Sequence, residues 1–175
     1  MQVETERVLL RPFEPQDAQG LFEMDSNPEV HRYLGNKPLK DFKKAEEVIA
    51  MVIAQHKRNG IARWTAIEKS TGNYLGWSGV KLYQQECCGH INFYEIGYRF
   101  KLEFWGKGFA TETAKAALDY TFDVLNEDTA YGMIHHENLA SARVLEKIGF
   151  QKTDEYVEDG IPCFFFENKN TAPRH

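Results

Sequence analysis

The 175-residue chain carries 21 Lys and Arg against 26 Asp and Glu, a net charge of −5, which argues against nucleic acid as main partner and favours a cationic amine or a basic protein. No apolar run of about 18 residues is present and the opening Met1-Gln2-Val3-Glu4 is acidic, so neither a membrane span nor a secretory signal is expected. Three cysteines, two of them adjacent (Cys87, Cys88 and Cys163), suit a reducing compartment, and the expectation is one cytoplasmic domain over residues 1–175.

Arg7 to Phe13 reads as a strand, and Glu14-Pro15 opens a helix carrying Leu21 and Phe22. Asn27-Pro28 repeats that signal and predicts a short helix with Val30, Tyr33 and Leu34. Ala45, Val48, Ile49, Val52 and Ile53 mark an amphipathic helix ending near Gly60. Arg63 to Glu68 and Tyr74 to Leu82 form a hairpin about Ser70-Thr71-Gly72-Asn73. Asn92 to Phe100, aromatic and β-branched, is the next strand. After it, Ala110, Ala114, Ala117, Leu118, Thr121, Phe122 and Leu125 recur at helical spacing. A strand near Ala130 to His135 leads to a helix over Asn138–Ile148, stopped by Gly149, with Leu139, Ala142, Leu145 and Ile148 as its buried stripe. A last hairpin turns at Glu158-Asp159-Gly160 and carries Phe164-Phe165-Phe166 as a buried strand. From Asn168 to His175 the chain is polar, contains Pro173 and reads as a loose tail. These elements predict an α/β (α+β) fold, a mixed and mostly antiparallel sheet with helices on both faces.

The most informative stretch is Trp105-Gly106-Lys107-Gly108-Phe109-Ala110-Thr111, set between a strand and a helix. Open N–H groups at the helix start and the helix dipole favour an anion there. Gly106 and Gly108 permit positive φ and close approach of a phosphate to the main chain. Lys107 is followed by Gly108 rather than Ser or Thr, so a Walker A loop is excluded, and Gly-x-Gly is not completed to a dinucleotide fingerprint. By itself the loop is equally compatible with a plain strand-to-helix turn.

Residues further on separate these readings. Trp105-x-x-Gly108-x-Ala110 matches the cofactor loop [Gln/Arg]-x-x-Gly-x-[Gly/Ala] except at its first position. Asn138, Ser141, Glu146, Lys147, Gly149 and Phe150 match the late-helix pattern Asn-x-x-[Ser/Ala]…Glu-Lys-x-Gly-Phe. With these motifs the chain resembles the GNAT superfamily of acyl-CoA-dependent N-acetyltransferases. Glu95-Ile96-Gly97-Tyr98, the run to Glu112 and the opening Thr5 to Phe13 are most similar to the branch acetylating N-termini of ribosomal proteins. The resemblance implies a GNAT-like fold and acetyl-CoA as co-substrate. It implies pantetheine beside Tyr98, Arg99 and Phe100, and pyrophosphate on Gly106, Lys107, Gly108, Phe109, Ala110 and Thr111. Trp105 stands where the family has Gln or Arg, which leaves the phosphate contacts to main-chain amides.

Amine attack on a thioester needs a proton removed from the amine, a donor for the oxyanion and help for the leaving thiolate. An α-amino group has a pKa of about 7.7–8.0 and a lysine amine about 10.4. Glu95 is the candidate base, with burial between Tyr94 and Tyr98 tuning it; the bland alternative is a strand glutamate paired with Arg99. Tyr94 is the rival if a bulge exchanges their faces, and a water relay through either would serve. Ser141 is the candidate acid or hydrogen-bond donor to the thiolate, because Leu145 occupies the position of the family's tyrosine; otherwise it is simply a small residue near a helix start. Asn138 caps the same helix or holds pantetheine.

Cys87-Cys88-x-His90 and His135-His136 lack a completing ligand set, so no metal is expected. Trp64, Trp77 and Trp105 read as core or as cleft walls. The acceptor segments, Asn27 to Asp41 and Gln84 to Asn92, carry no motif. Three function classes follow: an acetyltransferase for a protein N-terminus, one for a small amine such as a polyamine or an antibiotic, and a non-catalytic acyl-CoA sensor. The expected partners are acetyl-CoA and the amine acceptor, with no membrane or nucleic acid, in a monomer or homodimer.

Overall fold

The computed structural model describes residues 2–171. Its elements are β1 (Val3–Glu4), β2 (Val8–Pro12), α1 (Ala18–Asp25), α2 (Phe42–Asn59), β3 (Trp64–Glu68), β4 (Tyr74–Tyr83), β5 (Phe93–Phe100), α3 (Phe109–Asp123), β6 (Thr129–His135), α4 (Leu139–Lys147), β7 (Gln151–Glu158) and β8 (Ile161–Lys169). The strands form one sheet in the order β1-β2-β3-β4-β5-β6-β8-β7. Every neighbouring pair is antiparallel except β5 and β6. The mixed, mostly antiparallel sheet expected from the sequence is therefore present.

Helices cover both faces. Ala114, Ala117 and Leu118 of α3 and Ala142 and Leu145 of α4 pack on Val8, Leu10, Val80 and Ile96. On the other face Leu21 and Met24 of α1 and Ala45 and Ile49 of α2 form a second cluster that reaches Tyr74 and Trp77. The amphipathic spacing of α2 sets this contact, Asp41 caps its start through the Lys43 N–H at 3.0 Å, and Gly60 ends it at φ 72°.

Three local expectations are corrected. Asn27-Pro28 opens turns rather than a helix: hydrogen bonds from Val30 to Asn27, Arg32 to Glu29 and Leu34 to His31 close three-residue steps. Gly35 and Asn36, at φ 77° and 51°, end the run before a helical ladder builds. Leu139 is 57 % exposed, so the stripe of α4 begins one turn later at Ala142, where the helix starts to cover β6. Asn168 and Lys169 end β8 rather than begin a tail, and the Asn168 side-chain amide donates to the Ile148 carbonyl at 3.0 Å. Pro173 and the rest of 172–175 lie outside the described residues.

Candidate active site

Strands β5 and β6 share one parallel pair, Glu95 with Tyr131, and diverge beyond it. The gap in the ladder lies toward the C-terminal ends of both strands, where β5 leads into the glycine loop and β6 into α4. Tyr98 spans it: its hydroxyl donates to the Ser141 main-chain carbonyl at 2.8 Å. Burial pushes this phenol well up; the Ser141 side chain opposes that, and the nearby Glu95 charge adds to it. Asn138 caps α4, its side-chain oxygen accepting from the Ser141 N–H at 3.1 Å, so Ser141 lies in the first helical turn and is half-buried.

The loop after β5 is fixed at several points. The Trp105 indole donates to the Phe100 carbonyl at 2.8 Å, which holds the chain where the family has Gln or Arg. Gly106 and Gly108 adopt φ 72° and 83°, and Gly108 is the N-cap of α3 with no side-chain cap. The first N–H groups of α3 thus face outward. Phe109 is buried against Phe104 and Phe100, Lys107 is exposed, and Ala110 and Thr111 are half-buried.

Sequence reasoning missed the brace under this loop. Glu112 accepts from the Thr5 hydroxyl at 2.6 Å, the Arg7 main-chain N–H at 2.9 Å and the Arg7 Nε at 2.7 Å. Arg7 also donates to the Lys107 carbonyl at 3.0 Å and lies 4.3 Å over the Phe109 ring. Burial alone would raise the Glu112 carboxyl, but the bonds from Thr5 and Arg7 outweigh it and hold it below the ordinary carboxylate value. A Glu one turn into α3 and an Arg at the start of β2 were the visible signals; their pairing depends on tertiary register.

Gly108→Val is expected to weaken acetyl-CoA binding by about tenfold or more, since a β-branched residue resists φ 83° and crowds the anion. Its Cβ would meet Arg7 Nη2 at 3.4 Å, an ordinary contact, so the strain is in the backbone. Calorimetry on the folded variant measures this, and unchanged affinity would remove the loop as the phosphate site.

Register from Gly76–Phe100 to Tyr83–Phe93 is continuous, so no bulge exchanges Tyr94 and Glu95. Tyr94 and Tyr98 pack on the α3 face, and Glu95, by alternation, is on the opposite face. It is buried there with Arg63, not between the two tyrosines as expected. Arg63 Nη2 pairs with the Glu95 carboxylate, and Nη1 donates to the carbonyls of Gly79 and Glu95 at 2.6 and 2.7 Å. Arg99 instead grips both oxygens of the buried Asp25 at 2.9 and 3.0 Å. Glu95 and Arg99 are four residues apart on one strand, about 13 Å along it, too far to pair.

Around this face, Tyr33 places its ring 5.3 Å from that of His135, and His90 lies between Glu167 and the Tyr131 hydroxyl, 3.2 Å from each. Cys87 is pushed up to about 12, mainly by burial, and therefore stays a thiol. His135, His136 and Glu137 each bring a potential ligand atom within 4.8 Å of the others. His135 Nδ1, however, already accepts from the Glu137 N–H at 3.1 Å. Trp64 is core, Trp105 is nearly half exposed, and Trp77 is a wall with Arg63 and Arg99 at 5.4 and 5.1 Å from its ring.

A family model described as an acetyltransferase (GNAT) domain matches residues 7–151. The chain belongs to this family. It is an acetyl-CoA-dependent N-acetyltransferase, as its motifs implied. The uncharacterized N-acetyltransferase p20 of Bacillus licheniformis is 34 % identical over 148 residues, 85 % of this chain and 81 % of that protein. Two of the solved structures that share the fold are named for their acceptors. The ribosomal-protein-S5-alanine acetyltransferase from Vibrio fischeri superposes with TM-score 0.76 at 17 % identity, covering 98 % of this chain and 97 % of its own. A spermidine N-acetyltransferase from Vibrio cholerae, in complex with CoA and spermine, gives 0.73 at 21 %, covering 93 % and 95 %. Among the described residues no helix of the acetyltransferase is long and apolar enough to cross a membrane.

Proposed function

We propose that the enzyme acetylates the α-amine of a protein N-terminus in the cytoplasm. The observation that carries this reading is the pairing on the acceptor face, the side of the sheet where α1, α2 and Val30 and Leu39 of the 27–41 acceptor segment pack. Its three buried acids, Glu95, Asp25 and Asp17, are each bound to an arginine, so none is free to hold the several charges of a polyamine. An α-amine, with a pKa of about 7.7–8.0, is already partly neutral near pH 7 and asks little of the base.

In this reading acetyl-CoA lies in the gap between β5 and β6, with pantetheine along Tyr98 to Phe100 and pyrophosphate on the N–H groups of Gly106 to Thr111. Arg99 takes part through its main chain, because its side chain is spent on Asp25. Glu95 Oε2 faces Arg63, which leaves Oε1 to take the amine proton directly or through a water. A main-chain N–H of β5 receives the oxyanion, and the Ser141 hydroxyl donates to the departing thiolate. Asn138 orients Ser141 through the cap.

The fold shared with the Vibrio cholerae spermidine enzyme makes a polyamine the second reading. Acetyl-CoA consumption near neutral pH, with peptides of free N-termini set against spermidine, separates them. Higher kcat/KM for peptides supports the first, and the reverse ranking assigns the enzyme to small amines.

A further inference from the structure

Residue 63 lies just before β3 and belongs to no motif read in the sequence, yet its guanidinium reaches the centre of the acceptor face. Nη1 donates to the Gly79 and Glu95 carbonyls at 2.6 and 2.7 Å and Nη2 binds the Glu95 carboxylate. The group thus straddles β4 and β5 and holds both the main chain and the side chain of one glutamate. It is well buried, with 12 % of its side chain exposed. Space for it comes from Gly97, paired across the strands with Gly79. A Cβ on Gly97 would stand 2.6 Å from Arg63 Nη2, 2.9 Å from its Cζ and 3.2 Å from Glu95 Oε1. Gly97 has no left-handed φ, so its backbone does not require glycine. The missing side chain matters for the room it leaves. Trp77 walls the other side.

We infer that Arg63 is a positioning residue for amine deprotonation: seated over Gly97, it fixes the Glu95 carboxylate with Oε2 occupied and Oε1 presented to the acceptor. The inference rests on Glu95 being the base. A two-point hold of this kind leaves one orientation of the carboxylate and keeps a positive charge beside it. Other groups around Glu95 are Lys81, its partner on β4, and Tyr131, its partner on β6. Tyr83 and Tyr98 both feel its charge. Arg99, on β5 itself, is neutralised by Asp25 of α1.

The test is the pH dependence of kcat in Arg63→Met, Arg63→Lys and Gly97→Ala, with acetyl-CoA affinity measured alongside. Arg63→Met should lower kcat by about 10- to 100-fold and move the acidic limb of the profile up by about 1–3 pH units, with affinity for acetyl-CoA retained. Arg63→Lys should restore the limb more than the rate, because it keeps the charge and loses the fork. Gly97→Ala should act in the direction of Arg63→Met by crowding the guanidinium, and it serves as the probe if Arg63→Met fails to fold. In a Glu95→Gln background, Arg63→Met should add no further loss. An acidic limb unmoved in both Arg63→Met and Gly97→Ala, or losses that multiply in the double variant, would overturn the positioning role while leaving Glu95 as base. Wild-type turnover in Glu95→Gln alone would instead remove the base reading, and this inference with it.

Discussion

Glu95→Gln is expected to lower kcat by about 10²–10⁴-fold, the usual contribution of a positioned base, and to abolish the acidic limb of the pH–rate profile. Affinity for acetyl-CoA should stay close to wild type, because the carboxylate is on the face opposite the α3 contacts and is bound by Arg63. The sign follows from the role. A carboxylate that must be ionised to accept a proton loses activity as pH falls, and glutamine has no such titration. Ser141→Ala gives the contrasting profile: slower turnover with the limb in place, since the hydroxyl does not titrate in the working range. Turnover of Glu95→Gln equal to wild type at every acidic pH would leave a water relay as the route for the proton.

Leu145→Ala should destabilise the fold by about 2–5 kcal/mol, a fall of roughly 4–20 °C in melting temperature for a domain of this size. Leu145 is 1 % exposed in the last turn of α4. It fills the space above Gly132 of β6, where an added Cβ would stand 2.6 Å from Leu145 Cδ1. Truncation opens a cavity between helix and strand that neither can close without moving the other. Since α4 also carries Asn138 and Ser141, turnover below the melting point should fall with stability. An unchanged denaturation midpoint would mean that α4 does not pack on β6 in this way.

How much could be read in advance depended on how far apart in the chain the cause and its effect lie. The glycine loop was legible because its meaning is local: strand, two residues at positive φ and helix start are contiguous. The α2 stripe and the Asp159-Gly160 turn were legible for the same reason, with φ 49° and 80° at the turn. Leu139 carried the right spacing for the α4 stripe, but spacing does not say where the underlying strand ends. The partner of Glu95 was misjudged because Arg99 is near in sequence and far along the strand. Arg63 is 32 residues away, and the sheet register brings it over Gly97. Likewise Thr5 and Arg7 belong to one stretch and Glu112 to another more than 100 residues on, and only the packing of β2 beside the α3 start makes them a brace.

The divergence of β5 from β6 has a thermodynamic consequence. Beyond Glu95 and Tyr131 the two strands present main-chain groups to a gap rather than to each other, and backbone groups without partners are costly once water leaves. In the proposed reading a pantetheine arm seated there adds the missing rung, so the native state would bind it and the unfolded chain would not. Linkage then requires folding stability to rise with ligand, by about 2.7 kcal/mol at a hundredfold excess over Kd, and thermal melting with and without CoA reads this directly. Susceptibility to proteolysis through global opening falls in proportion. On that reading the working lifetime of the protein would be coupled to the supply of its own co-substrate.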